Sequence, residues 1–417
     1  MSSYIIEGGK KLSGETFVSG SKNASLPIMA ASLLNRGITK LYNVPDIHDT
    51  QMMIEILKTL GCKIKKNHNK VVIDSSNVSN LEIPDNLMSK MRSSVILAGA
   101  MIAKYKKAIF SYPGGCDIGA RPIDLHLKGF EKLGVNVKQS YGKIVCDVEE
   151  IVPTEINLDF PSVGATENII LASVLAKGVT TISNAAMEPE IVDLQNFLNR
   201  MGAKVEGAGS NIIKIQGVPK LKDVSYNIMP DRIEAGTLLM ASAITGGEIT
   251  LKKVNISHIM PLIDKLQEAG CKISIKENEI ILKAPKRLKA VDIKTMPYPG
   301  FPTDMQAILG VAMTVATGTS MIIENIFENR FKYLNELQKM GAKVNIEGRT
   351  AVIKGVKKIY GTKVKATDLR GGASVVLAGL VAKGTTKLDN IEYILRGYEK
   401  FDEKLNSLGA EIYFIKD

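Results

Sequence analysis

The tightest constraint on this chain is that it repeats itself. LKTLGCKI (57–64), FEKLGVNV (130–137), LNRMGAKV (198–205), LQEAGCKI (266–273), LQKMGAKV (337–344) and LNSLGAEI (405–412) share one design: a helix end, a glycine, and the start of a β-rich segment. Glycine suits that place because the residue that stops a helix in a left-handed turn escapes a steric penalty only without a Cβ. The six glycines, 61, 134, 202, 270, 341 and 409, follow one another at intervals of 73, 68, 68, 71 and 68 residues. A second pattern runs in phase, an Ala-rich apolar helix leading through a turn into a strand. It reads LPIMAASLLNRGITKLYNV, NIILASVLAKGVTTISNA, GTLLMASAITGGEITLKKV and SVVLAGLVAKGTTKLDNI, with looser copies SVILAGAMIAKYKKAIFSY and AILGVAMTVATGTSMIIENI. Helices apolar nearly all round belong inside. Each period reads as a βαβαββ-like unit of α/β class with two helices, the Ala-rich one interior.

At 417 residues the chain exceeds what one hydrophobic core serves, and six long units divide into two globules of three. The hinge is predicted in YNIMPDRIEAG (226–236), where Pro230 precedes a new helix with Asp231 near its cap. The opening GGKKLSGETFVSG has no partner in the first repeat, so it is expected to pair with the C-terminal half, giving a second crossing near SGSKN (19–23). The expected domains are 22–229, carrying the loop around Cys116, and 1–21 with 230–417.

The net charge of +11 admits an anionic partner, either nucleic acid or a phosphorylated small molecule. Lysines are spread along the whole chain with no basic arm or aromatic-interleaved patch, which argues against nucleic acid. No apolar run is long enough to cross a bilayer and the N-terminus lacks a signal peptide's features, so a cytoplasmic protein without membrane contact is expected. Cysteines 62, 116, 146 and 271 show no metal or CxxC spacing, and the four histidines show no metal spacing. Cys62 and Cys271 fill the slot after the repeat glycine, held elsewhere by Val135, Ala203, Ala342 and Ala410, and read as structural.

Cys116 fills no such slot. It stands in PGGCDIGARP, where glycines 114, 115 and 119 allow a loop to approach a ligand and Arg121 could lower a thiol pKa. Only ten arginines occur, and six stand beside special residues: Arg92, Arg121, Arg232, Arg330, Arg370 and Arg396. Their rigid fork suits phosphate or carboxylate recognition. Ser21-Lys22-Asn23 opens the first Ala-rich helix, where an ammonium and helix amides could share a phosphate or simply face solvent. SVGATEN (162–168) is a second such helix start. In PYPGFPTD, Asp304 is either a structural N-cap or, in a cleft, a general base.

Taken together, SGSKNASLPI, KMRSSVILAG, PGGCDIGARPIDLH, FPSVGATEN, NAAMEPEIVD, MPDRIEAG, FPTDMQA, FENRF, ATDLRGGASVVLAG and RGYEKFDEKL resemble the UDP-N-acetylglucosamine enolpyruvyl transferases over essentially the whole chain. The resemblance implies a two-domain inside-out α/β barrel with its site between the domains. It implies transfer of the enolpyruvyl group of phosphoenolpyruvate to the sugar nucleotide's 3-hydroxyl, with phosphate released, as the first committed step of peptidoglycan precursor synthesis. It implies that Lys22, Arg121 and Arg396 grip phosphoenolpyruvate and that Lys22-Asn23 joins the two substrate sites. Arg92, the run Arg121, Pro122, Ile123, Asp124, Leu125, then Ser162, Val163, Gly164, Asp304 and Ile326 match sugar-nucleotide contacts, and Arg330 and Arg370 join the candidate substrate-binding set. Cys116 matches a proton donor that fosfomycin alkylates, and Asp304 a base for the 3-hydroxyl. No metal or organic cofactor is implied.

Two departures stand out. Phe160-Pro161 occupies the place where some members carry a lysine for the diphosphate, and Gly371-Gly372 is looser than the small residues usual there. The sister transferase acting on shikimate 3-phosphate lacks the PGGC loop. A non-catalytic nucleotide-sugar regulator would have lost Cys116, Asp304 or the arginines, which are present.

Overall fold

The repeat glycines end their helices in one way. Gly61, Gly134, Gly202, Gly270, Gly341 and Gly409 have φ between +82° and +108°. In each repeat the glycine N–H and the next N–H turn back onto helix carbonyls, as in Gly202 to Asn199 and Ala203 to Leu198, both at 3.0 Å. This double turn satisfies carbonyls that the helix end would leave bare. The residue after each glycine is buried, including Cys62 and Cys271. Burial pushes the thiols of Cys62, Cys146 and Cys271 up to about 12, leaving them unreactive. At Gly202 the nearest atom to an added Cβ is Lys222 Cε at 4.0 Å, so only the backbone opposes a side chain. Gly202→Ala is therefore expected to cost about 1–2 kcal/mol in urea unfolding and Gly202→Asn distinctly less, because asparagine tolerates the left-handed turn.

The computed structural model describes residues 2–89, 91–112, 118 and 123–416. Among them the chain forms two units: 20–89, 91–112 and 123–229, holding repeats one to three, and 2–19, Ile118 and 230–416, holding repeats four to six. Each has its own hydrophobic core. Six interior helices run through these cores: α1 (Lys22–Ala31), α2 (Leu97–Tyr105), α3 (Val163–Ser173), α4 (Arg232–Thr245), α5 (Thr303–Thr314) and α6 (Leu369–Val381). In the later unit α4, α5 and α6 pack mutually, and in the other α2 lies against α1 and α3. Small residues permit the approach: a Cβ on Gly99 of α2 would fall 2.3 Å from the Asn168 carbonyl of α3.

The sheets flank these helices with one buried and one exposed face, seen in the alternating burial of Ile38–Tyr42 and Ile212–Gln216. The third repeat shows the full βαβαββ order. Its strand Glu155–Asn157 runs parallel to Val179–Ser183, and the hairpin Lys204–Glu206 and Ile212–Gln216 completes an antiparallel edge. Three repeats borrow a strand from a distant part of the chain. Val224–Asn227 supplies the first strand of repeat one, beside Ile38–Tyr42. Ser13–Phe17 supplies that of repeat four, beside Glu248–Lys252, so the opening segment pairs in the later unit as its lack of an early partner predicts. Ser2–Glu7 is the last strand of repeat six, between Thr385–Asp389 and Glu411–Lys416. Repeat two has three strands, with Glu82 bridging to Ile109 in place of the fourth. The architecture is α/β with helices inside and sheets outside, and among the described residues no sheet closes into a barrel.

Candidate active site

In the unit of repeats four to six, chemistry gathers where two interior helices begin. Pro302 takes the N-cap of α5, so Asp304 lies inside the first turn, as the second helical residue. The reading of Asp304 as a plain N-cap is thereby corrected. Its carboxylate accepts from Arg330 Nη2 at 2.7 Å on Oδ1, and from Arg370 Nε and Nη2 at 3.2 and 3.1 Å on Oδ2. The arginine side chains are 3% and 4% exposed, the aspartate 28%, so a partly open carboxylate rests on two buried cations. Burial pulls against the charge of Arg330, but Asp304, Asp368 and Glu324 outweigh it and hold the guanidinium above its ordinary range. Arg370 is fixed from two sides. Its backbone N–H bonds to the N-cap carboxylate of Asp368 at 3.0 Å, and its guanidinium lies 5.3 Å from the centre of the Tyr398 ring.

Ile326 is placed by its neighbour Glu324, whose Oε1 accepts the Ile326 and Phe327 amides at 2.8 and 3.1 Å. Arg396 closes the short helix Glu392–Leu395 and is half-buried. The carbonyl of Ile118 accepts from the Asn329 N–H at 3.0 Å.

In the unit of repeats one to three, Ser21 caps α1 through its hydroxyl, and Lys22 follows as the first helical residue with Asn23 beside it. Lys22 Nζ lies 3.2 Å from Asp49 Oδ2, with side chains 13% and 4% exposed, so the ammonium is anchored rather than solvated. Ser162 is the N-cap of α3 but makes no side-chain capping bond, which leaves its hydroxyl and the amides of Val163 and Gly164 at a positive helix end. Against Gly164 lies His126, to which an added Cβ would approach within 3.1 Å. Burial, then the nearby Arg92 cation, pulls the His126 imidazole down to about 4, so it is neutral at pH 7. Asn168 ties this corner together. Its Nδ2 lies 2.8 Å from His126 Nδ1 and 3.0 Å from the Val95 carbonyl, and its Oδ1 accepts the Gly99 N–H at 2.9 Å.

Ile123 and Asp124 lead into the helix Asp124–Lys132, and Leu125 lines a hollow of about 490 Å³ with Lys128, Lys132, Asn157 and Asp159. Cys116, Arg121 and Pro122 lie outside the described residues.

The structure thus joins Asp304, Arg330 and Arg370 directly, and brings Arg92 near Gly164 through His126. Sequence reasoning missed the anchors Asp49, Asp368, Glu324 and Asn168. It also missed Glu167 in SVGATEN, which burial and then Glu190 and Glu188 push well above the usual carboxylate range. A carboxylate two residues into a helix, as at 49, 190 and 304, is a visible signal, although most such residues only favour the helix dipole.

Comparison with known proteins bears on what this arrangement serves. The family model described as EPSP synthase (3-phosphoshikimate 1-carboxyvinyltransferase) matches residues 6–405. UDP-N-acetylglucosamine 1-carboxyvinyltransferase 2 of Caldanaerobacter subterraneus subsp. tengcongensis is 55% identical over 413 residues, covering 99% of each chain. The protein of the same name from Carboxydothermus hydrogenoformans is 49% identical over 419 residues, covering 100% of each. Among solved structures, the enolpyruvyl transferase NikO from Streptomyces tendae superposes with a TM-score of 0.90 at 24% identity, covering 100% of this chain and 99% of its own, which speaks for the fold. With nearly every residue matched by the family model and 49–55% identity to full-length relatives, the chain belongs to the enolpyruvyl transferases, in the group of the UDP-N-acetylglucosamine 1-carboxyvinyltransferases.

Proposed function

We propose that this enzyme transfers the enolpyruvyl group of phosphoenolpyruvate to the 3-hydroxyl of UDP-N-acetylglucosamine and releases phosphate, in the cytoplasm, at the start of peptidoglycan precursor synthesis. The observation that carries the reading is the 55% identity to a transferase of that name across 99% of both chains. The geometry supports it with chemistry suited to the reaction.

Addition to the enol needs a proton on the methylene carbon while the sugar oxygen bonds to the adjacent carbon and gives up its own proton. The resulting tetrahedral adduct then loses phosphate and a methyl proton, restoring the double bond. Cys116 is the proton donor, and Asp304, held by Arg330 and Arg370, receives the hydroxyl proton. Lys22, oriented by Asp49, grips phosphoenolpyruvate with Arg121 and Arg396, and a fixed ammonium at a helix start stabilises phosphate charge without reorganising. The Ser162–Gly164 helix start with Arg92 holds the diphosphate, the remaining contacts coming from Asn23, residues 121–125 and Ile326.

Phosphate release from phosphoenolpyruvate is expected only when UDP-N-acetylglucosamine is present. Release without the sugar nucleotide, or with shikimate 3-phosphate in its place, overturns the reading. Fosfomycin is expected to inactivate the enzyme by bonding to the Cys116 thiolate. Cys116→Asp should retain an acid and escape the drug, whereas Cys116→Ala should lose at least 10²-fold in kcat, about what one positioned acid contributes.

A further inference from the structure

The five repeats whose central strand opens on a glycine supply an internal comparison that singles out one residue. Six positions after the glycine that opens each central strand, four repeats carry Asn43, Asn184, Lys253 and Asn390, all left-handed with φ between 54° and 63°. That turn lets the following N–H reach the tip of the sheet's hairpin, as Val44 does to the Asn69 carbonyl. The fifth repeat abandons it. Its residue at that slot, Glu324, is absent from the left-handed set and itself makes the hairpin bond, N–H to the Arg349 carbonyl at 2.8 Å.

Glu324 is fully buried and both of its carboxylate oxygens accept hydrogen bonds. Oε1 accepts from the Thr295 hydroxyl at 2.8 Å and from the Ile326 and Phe327 amides; Oε2 accepts from the Thr303 hydroxyl at 3.0 Å. Thr303 is the first residue of α5, immediately before Asp304. Asn325 seals the same turn, its N–H bonding to Thr295 Oγ1 at 2.9 Å and its Nδ2 to the Thr295 carbonyl at 3.1 Å. A buried carboxylate is costly unless every lone pair is used, and a repeat that departs from its siblings to bury one does so for function more readily than for folding.

We infer that Glu324 is a positioning residue that sets the Asp304 carboxylate and the Ile326 backbone in one frame, so that the base and the sugar-nucleotide contact move as a unit. This rests on the roles of Asp304 and Ile326 proposed above. One carboxylate oxygen fixes the start of the helix that carries the base, the other the loop that carries Ile326.

The test is steady-state phosphate release with UDP-N-acetylglucosamine varied, on Thr303→Val, Glu324→Gln and Glu324→Ala, with melting temperatures on the same samples. Thr303→Val cuts only the link to α5, and it is expected to lower kcat about tenfold with KM for the sugar nucleotide within twofold, since small misplacements of a reacting group cost this much or more. Glu324→Ala is expected to lower kcat and raise that KM about tenfold together. Glu324→Gln, whose carbonyl still accepts the two loop amides, should restore KM. Should Glu324→Ala fail to fold, the other two variants decide. If Thr303→Val and Glu324→Gln both keep wild-type kcat and KM while Asp304→Asn is inactive, the positioning role is wrong and the functional reading stands. If the wild type releases no phosphate in response to the sugar nucleotide, the functional reading itself has failed.

Discussion

Asp304→Asn is expected to lower kcat by about 10³-fold, within the range a single positioned base supplies. The substitution keeps the shape and one acceptor oxygen, so Arg330 Nη2 at 2.7 Å retains a partner while the proton acceptor is gone. A drop in kcat alone would not separate lost chemistry from two buried guanidiniums relaxing into new positions. Asp304→Glu does so: it keeps the charge and both cation contacts but moves the carboxylate by a methylene. If the aspartate is the base, Glu should also lose about 10²-fold, because reactivity depends on placement to within an ångström. If it only neutralises the arginines, Glu should work nearly as well as Asp. Urea unfolding is the companion measurement. Arg330 and Arg370 are each almost wholly buried, and an uncompensated buried cation destabilises, so Asp304→Asn should also soften the unit while Asp304→Glu should not. Activity within tenfold of wild type in the asparagine variant would remove Asp304 from the chemistry.

How much of this could be read beforehand depends on whether a residue's role is set by its own segment. The repeat glycines could be read, because a left-handed helix end needs glycine whatever surrounds it, and the small slot after it followed. The interior helices could be read from their lack of a polar face. The pairing of Ser13–Phe17 was legible as a strand pattern without a local partner. Partnerships across the fold were not. Nothing near Lys22 marks Asp49 as its anchor, and nothing near His126 marks Asn168, since packing of separate helices brings them together. Asp304 could be placed at a helix start, but whether it capped the helix or faced the arginines turned on Pro302 taking the cap, a difference of two residues below the accuracy of boundary reading. Glu324 sat in a copy already seen as loose, GTSMIIENI, and that looseness was the signal.

Lys404 shows the same limit and carries the largest stability prediction. In RGYEKFDEKL it is one lysine among many, yet its side chain is 8% exposed and Nζ donates at 2.6 Å to both Glu234 Oε1 and Ser19 Oγ. Glu234 Oε2 takes the Ser19 N–H at 2.6 Å, and the Ser19 carbonyl takes the Asp231 N–H at 2.9 Å. Residues 19 and 230 are where the chain leaves this unit and returns to it, so one buried ion pair ties both ends into its core. Lys404→Met should therefore cost about 3–5 kcal/mol in unfolding, because it strands a buried carboxylate. Lys58→Met, at an exposed pair with Glu55, should change nothing measurable. The pH dependence identifies the cause. Burial raises the Glu234 pKa above its ordinary 4.5, and Lys404 and the Ser19 bond pull it back. A carboxyl raised in the folded state keeps its stability below the unfolded pKa and loses it as pH climbs through the folded value. Without Lys404 that value climbs further, so the deficit of Lys404→Met should be small near pH 4.5 and grow toward pH 8. Adding Glu234→Leu should recover most of the loss and flatten the profile, since an apolar pair of similar volume has no charge to desolvate. A deficit equal at both pH values and unrelieved by the second substitution would mean that the Lys404 ammonium matters more through the Phe17 ring, whose centre lies 5.3 Å away, than through its ion pair.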